Sequence, residues 1–317
     1  MAVDTPAHIA VLGAGPIGLE AALYARFLGY DVTLYEQGHI AEQVLRWGHA
    51  RMFTPWHMNV SPLGLAALHT QLPDWQPPAD DALLSGRQWA EAYLLPLAAS
   101  DLLADSLQPE TQVLAIARRG LLRGDADGDE RGERELLVLM RDTSGAERID
   151  KVDVVIDATG VCGQPNHLGR GGLPALGERQ LVEAIEYGLP DIAGEQRERY
   201  AGRRVLVVGG GHSAATNVLA LAALEPPPRI FWVTRRLPDE ATPGPLRLVS
   251  KDPLSERDRV ARAANALAGN ALAGNALAGS AHPAVTHLPG CWVKRIDFSA
   301  GTYRVQLVGE QKQEIEV

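Results

Sequence analysis

Two glycine-rich turns, VLGAGPIG at residues 11–18 and VLVVGGGHSA at residues 205–214, constrain this 317-residue chain more than any other feature. Each follows a short apolar run and opens a segment of helical character. In such a strand–turn–helix unit the first glycine permits the tight turn and the second lets the backbone approach a pyrophosphate. The third lets the helix pack close to the strand. The amides at the helix start have no intrahelical partner and lie at its positive end, so the unit is built for phosphate. Gly13, Gly15 and Gly18 fill the three positions of the first turn, with Pro16 near the start of its helix. Gly209 and Gly211 fill two positions of the second, and Ala214 takes the third, a replacement the pattern permits.

The strands after the turns distinguish the two sites. Glu36 ends the segment DVTLY at the distance from Gly13 where an acidic side chain accepts hydrogen bonds from ribose hydroxyls. After the second turn, FWVTRR places Arg235 and Arg236 instead. An arginine fork pairs bidentately with a 2′-phosphate, whereas a carboxylate repels it, so the second site favours NADPH over NADH. His212 begins the second helix, where it meets the pyrophosphate or caps the turn. Two sites of opposite charge imply two different nucleotides.

The rest of the chain is read around these turns. Apolar runs at 8–12, 31–35, 152–157 and 230–234 are expected as buried strands. Helices are expected from Pro16 to Gly29, over 87–107 and in SERDRVARAANALA. Residues 41–88, with scattered Pro and Trp, give no regular pattern. TQVLAIARR and ELLVLMRD predict a hairpin or small meander around the polar run GDADGDERGER, an exposed loop. Residues 291–317 predict two or three antiparallel strands, and the tandem NALAG copies at 265–279 are too short for a solenoid.

Composition narrows the classes. The length suits about two domains. Thirty Lys plus Arg against thirty-nine Asp plus Glu give a net charge of −9, without the basic face that nucleic acid requires. The two cysteines, Cys162 and Cys291, form neither a disulfide framework nor a zinc site, and are expected as reduced thiols. No apolar run is long enough for a membrane span, and MAVDTPAHIAVLGAG lacks the basic start of a signal peptide. The expectation is a soluble cytoplasmic protein.

The paired turns, with Asp157, Ala158, Thr159 and Gly160 between them, resemble the two-dinucleotide-binding-domain flavoproteins, which include thioredoxin-reductase-like proteins and flavin-dependent monooxygenases. The resemblance covers most of residues 7–236 in motif order. It implies an α/β fold of two Rossmann-like three-layer dinucleotide-binding domains, each with a small antiparallel β insertion. The FAD-binding domain would span 1–165, and the NADPH-binding domain 166–317 with its meander at 291–317. FAD contacts carry over onto Gly13, Gly15, Pro16, Gly18, Glu36 and Gln37, the Val113 backbone, Thr159 and Gly160. NADPH contacts carry over onto Gly209, Gly211, His212, Ser213, Arg235 and Arg236. The segment RWGHARMFTPWHMN lies where such proteins meet the isoalloxazine, and offers Arg46, Trp47, Phe53, Trp56 and His57 as ring neighbours; loop packing explains the same residues equally well.

The chain departs from these families in three ways. It lacks the redox cysteine pair of the disulfide reductases, and Cys162 has no adjacent basic group to activate it. The Phe-x-Gly-x-x-x-His segment usual in the N-hydroxylating and flavin-containing monooxygenases is missing. The strand and helix by which these families return to the FAD domain do not follow Val317, which implies a shortened chain or an open flavin site. No nucleophile, metal-ligand cluster or carboxylate pair stands out. The expected activity is hydride transfer from NADPH to FAD and on to an unidentified acceptor, with oxygen as a candidate. The alternatives are a reductase of a small disulfide or other acceptor, and a nucleotide-binding protein without turnover. The expected partner is a small molecule, and a homodimer is compatible with this reading.

Overall fold

Strand β1 (His8–Leu12) forms the centre of a parallel sheet with β2 (Asp31–Tyr35), β3 (Leu107–Gln108) and β7 (Val154–Asp157), in the order β3-β2-β1-β7. Between β3 and β7 the chain adds an antiparallel meander of β4 (Thr111–Arg118), β5 (Leu136–Asp142) and β6 (Glu147–Val152). The computed structural model describes residues 6–122, 124–125, 129–239, 242–269, 284–310 and 312–317. These fall into two compact units, residues 1–163 and 164–317.

The first unit is layered by the two-residue period of its strands. Ile9, Val11, Val32 and Leu34 face a helical layer with Leu19, Leu23, Trp56, Tyr93 and Leu97. Ala10, Leu12 and Tyr35 face the other way, onto Val138, Met140 and Val152 of the meander. Both faces of β1 are therefore covered, which is why its sequence reads as one apolar run. Each fully buried leucine contributes about 1.5–3 kcal/mol. Leu12 pairs with Tyr35 on one side and Asp157 on the other, so Gly13, Glu36 and Ala158 leave the sheet along one edge.

Several helical expectations change. The segment 41–88 contains helices at Glu42–Arg46 and Pro62–Gln71, the second capped by Ser61, whose hydroxyl accepts from the Gly64 amide at 2.9 Å. The helix expected over 87–107 runs from Gly86 to Ala98 only, and a short turn at Ala104–Ser106 then leads into β3. It is a π turn over Ala90–Leu94, just ahead of Pro96, which has no amide to continue the regular ladder. Residues 126–128 of the expected exposed loop lie outside the described residues.

In the second unit β8 (Arg204–Val208), β9 (Arg229–Thr234) and β10 (Val285–Pro289) form a parallel sheet in the order β10-β9-β8. Strand β10 has no counterpart in the sequence reading, because its apolar run is broken by Thr286 and His287. The expected antiparallel strands are β11 (Cys291–Ser299), β12 (Thr302–Gly309) and β13 (Gln313–Glu316). Phe231 and Val233 of β9 share a core with Val293, Val305, Leu307 and Ile315. Helices run over His212–Ala222 and Ser255–Ala268, and residues 270–279 of the NALAG repeats lie outside the described residues.

Buried Glu178 organises the segment that opens this unit. Its carboxylate accepts from the amides of Leu168 (3.0 Å) and Ala175 (2.6 Å) and from the Tyr187 hydroxyl (2.5 Å), with His167 Nδ1 at 3.2 Å. Burial and this carboxylate push the Tyr187 hydroxyl above the usual tyrosine range. Cys162 is exposed, and buried Cys291 donates to the Pro289 carbonyl at 3.3 Å.

Candidate functional site

The three glycines of the first turn are required for three different reasons. Gly13 has φ +94°, and its amide donates to the Tyr35 carbonyl at 2.7 Å. A Cβ on Gly18 would lie 1.8 Å from the Gly13 carbonyl oxygen, so the helix Pro16–Phe27 approaches the turn as only glycine allows. Gly15 caps that helix from extended backbone, and a Cβ there would meet nothing within 4 Å. Open space therefore lies beside Gly15 at the unpaired amides of the helix start, the geometry that accepts a phosphate.

Glu36 is held across this turn. Its two carboxylate oxygens accept from the amides of Ala14 (2.7 Å) and Gly38 (2.9 Å). The Ala14 carbonyl in turn accepts from Ala41 at 3.0 Å, and Ala41 is a buried residue with φ +57°. A carboxylate has about four acceptor positions, so two remain for ribose hydroxyls. Gln37 beside it is exposed.

The Ala-Thr-Gly segment closes the other side. A Cβ on Gly13 would lie 2.8 Å from the Ala158 carbonyl oxygen. Asp157 accepts from the Thr159 hydroxyl at 2.7 Å and its amide at 3.0 Å, and these bonds hold the exposed carboxyl below its usual range. Thr159 and Gly160 are exposed beyond it. Val113, half-buried, pairs with Met140 at a bulge in β4.

The expected flavin-ring neighbours differ in burial and in what they touch. Trp56 is 1% exposed and belongs to the core, edge-on to Tyr93 with ring centroids 5.9 Å apart. Trp47 packs on Gly86, where a Cβ would lie 2.4 Å from its ring, and Arg46 pairs with Glu42 at 2.5 Å. Phe53 is half-buried. His57 is exposed, with Nδ1 2.9 Å from the Asp80 carbonyl oxygen. Core packing therefore accounts for Trp56.

The second turn repeats the design of the first. Gly209 has φ +141°, and its amide donates to the Val233 carbonyl at 2.9 Å. A Cβ on Gly209 would stand 3.5 Å from that of Ala214, ordinary contact, so alanine fits the third position. Gly211 caps the helix His212–Ala222, again with nothing within 4 Å of a Cβ. Ser213 is exposed and His212 half-buried. Burial, with the Arg257 guanidinium nearby, pushes the His212 imidazole down. Arg257 itself is bound bidentately by Asp252 at 2.8 and 2.7 Å.

The two arginines after β9 differ. Arg236 donates to the carbonyls of Gly244 at 3.0 Å and Pro245 at 3.3 Å. Asn265 pins the adjoining loop by exchanging two 2.9 Å hydrogen bonds with the Leu246 backbone. Arg235 is exposed and has no hydrogen bond or ion pair among the described residues. The sequence gives no signal for Asn265, nor for Trp232, whose indole donates to the Gly209 carbonyl at 2.7 Å; no local motif marks either residue. Among the described residues no group of three or more His, Cys, Asp or Glu is placed to hold a metal, and no helix is long and apolar enough to cross a membrane.

No family model matches the sequence, and no curated protein matches it. Solved structures do. The bacillithiol disulfide reductase Bdr from Bacillus cereus superposes with a TM-score of 0.65 at 15% identity, over 98% of this chain and 75% of its own. The ornithine N-hydroxylase KtzI from Kutzneria sp. 744, whose structure holds reduced FAD, NADP+ and L-ornithine, gives 0.60 at 15% identity, over 98% and 79%. Thioredoxin reductase from Lactococcus lactis gives 0.52 at 15%, over 98% and 74%. The chain thus has the fold of the two-dinucleotide-binding-domain flavoproteins.

Proposed function

We propose that this chain is an FAD-dependent oxidoreductase in which residues 1–165 bind FAD, residues 166–317 bind NADPH, and electrons pass from NADPH through FAD to a small-molecule acceptor. The observation that carries this reading is the contrast between two turns of one backbone design, the first spanned by Glu36 and the second followed by Arg235 and Arg236. Both offer open space at a helix start, beside Gly15 and Gly211, so the residues fit two dinucleotides. When bound, the nicotinamide supplies a hydride and the flavin accepts it.

The chain's own residues bind and orient. Glu36, locked between two amides, presents its remaining lone pairs to ribose hydroxyls without having to reorganise. Arg235 supplies an unpaired cation for a 2′-phosphate. Catalysis by positioning needs no side-chain nucleophile. The only two cysteines are one exposed and one buried, so the chain has no thiol pair to relay electrons. The candidate acceptors are oxygen, a small disulfide or another small molecule meeting the flavin directly.

The test is anaerobic addition of NADPH to FAD-loaded protein, with NADH as comparison and the visible flavin spectrum as readout. Bleaching with NADPH preferred is the expected result. An unchanged spectrum despite bound FAD would favour the reading without turnover. Oxygen uptake against consumption of an added disulfide then separates the two classes of acceptor.

A further inference from the structure

Beneath the second turn lies a polar cluster that phosphate binding alone does not explain. His287 on β10 is the register partner of Trp232 on β9, and their rings lie 5.6 Å apart. Trp232 holds the Gly209 carbonyl through its indole at 2.7 Å. His287 Nε2 lies 3.0 Å from the hydroxyl of Thr234, a residue 2% exposed, and that hydroxyl lies 3.3 Å from the Arg236 carbonyl oxygen. A hydroxyl has one proton to give. It goes either to the Arg236 carbonyl, with His287 donating from Nε2, or to Nε2 of His287, and in both cases Thr234 is tied to the imidazole. The contacts link His287, through Thr234, to the backbone of the turn that carries Arg235.

We propose that His287 is a positioning residue for nucleotide discrimination, holding the 234–236 turn in the conformation that presents Arg235 to a 2′-phosphate. This rests on the NADPH reading above. Thr234 is the last residue of β9, in register with Pro289, and the sheet stops constraining the chain just after it, so a tie there bears directly on the placement of Arg235 and Arg236. Arg236 spends one guanidinium nitrogen on the Gly244 and Pro245 carbonyls, so Arg235 is the freer of the two to turn toward a 2′-phosphate. Trp232 ties the same cluster to the glycine turn, so the pyrophosphate and 2′-phosphate ends of the site share one buried support.

The experiment is calorimetric titration of FAD-loaded wild type, Thr234→Val, His287→Leu and His287→Gln with NADP+ and with NAD+. Thr234→Val and His287→Leu are expected to lower NADP+ affinity relative to NAD+ by about fivefold, the effect of one lost hydrogen bond. His287→Gln, whose amide can either donate or accept near the position of Nε2, is expected to restore the ratio. An unchanged NADP+/NAD+ ratio in Thr234→Val overturns the proposal; that variant removes the hydroxyl at nearly constant volume and decides the matter even if His287→Leu does not fold. Equal loss of both nucleotides also overturns it, as that is what a purely structural histidine would give. Wild type that does not prefer NADP+ over NAD+ overturns the NADPH reading, and this inference with it.

Discussion

The hydroxyl of Tyr35 donates to the Asp150 carboxylate at 2.6 Å, joining the second strand of the parallel sheet to the last strand of the meander. The carbonyl of the same tyrosine accepts the Gly13 amide, so one residue anchors both the meander and the first turn. Tyr35→Phe removes only the first of these bonds. It is expected to cost about 1 kcal/mol, a loss of several degrees in Tm, while FAD remains bound in full. Thermal melting with flavin quantification checks this, and loss of FAD would show that the meander controls the turn.

The glycines of the first turn separate folding from binding. Gly18→Ala drives a methyl group into the Gly13 carbonyl and is expected to destabilise the unit by about 2–3 kcal/mol even without nucleotide. Gly15→Ala meets no protein atom, so its apo stability should stay within about 1 kcal/mol of wild type. Its FAD affinity should nevertheless fall at least about tenfold, because the methyl group occupies space the pyrophosphate needs. Denaturant melts paired with flavin titration test both, and equal behaviour of the two variants would contradict the geometry.

Glu36→Gln keeps the shape and removes the charge. One amide of the pair from Ala14 and Gly38 would then face a side-chain NH2 in place of an acceptor. FAD affinity is expected to drop about ten- to hundredfold, as for loss of hydrogen bonds to a charged group. The rate of flavin release on dilution measures it, and an unchanged rate would remove Glu36 from the site.

His287 also predicts a pH dependence. Burial pushes its imidazole from 6.5 down to about 4. Between these values the unfolded chain holds the proton and the folded chain does not, so stability falls as the pH drops through that window. The ceiling is about 1.4 kcal/mol per pH unit, reached only in part by a half-buried ring, and the loss levels off once the folded state also protonates. Urea melts between pH 7 and pH 4 should show a steeper decline for wild type than for His287→Gln. Parallel curves would mean that the ring is already accessible to protons.

The features legible in the sequence are those that local backbone chemistry determines. Gly13, Gly18 and Gly209 are dictated by a turn, a close approach or a positive φ, each decided within a few residues, and Glu36 and Arg235 are placed by strand length. The remainder depends on partners distant in sequence. Trp56 reads as a ring neighbour from its position in the chain, but Tyr93 and Trp75 enclose it in the core. Arg235 and Arg236 are equivalent in sequence, and only the carbonyls at 244 and 245 tell them apart by engaging one of them. Glu178 carries no motif, since its amide donors are brought to it only by the folded loop. Strand β10 is hidden because two polar residues interrupt its apolar pattern, and one of them is His287.

The contrast between Cys162 and Cys291 gives the molecule a built-in reporter. A thiol-reactive dye added to the native protein should attach once, at Cys162, marking the end of the first unit without any engineering. A second equivalent can enter only when the core of the second unit opens around Cys291. The rate of that second labelling therefore clocks the opening of the second unit separately from the rest of the chain.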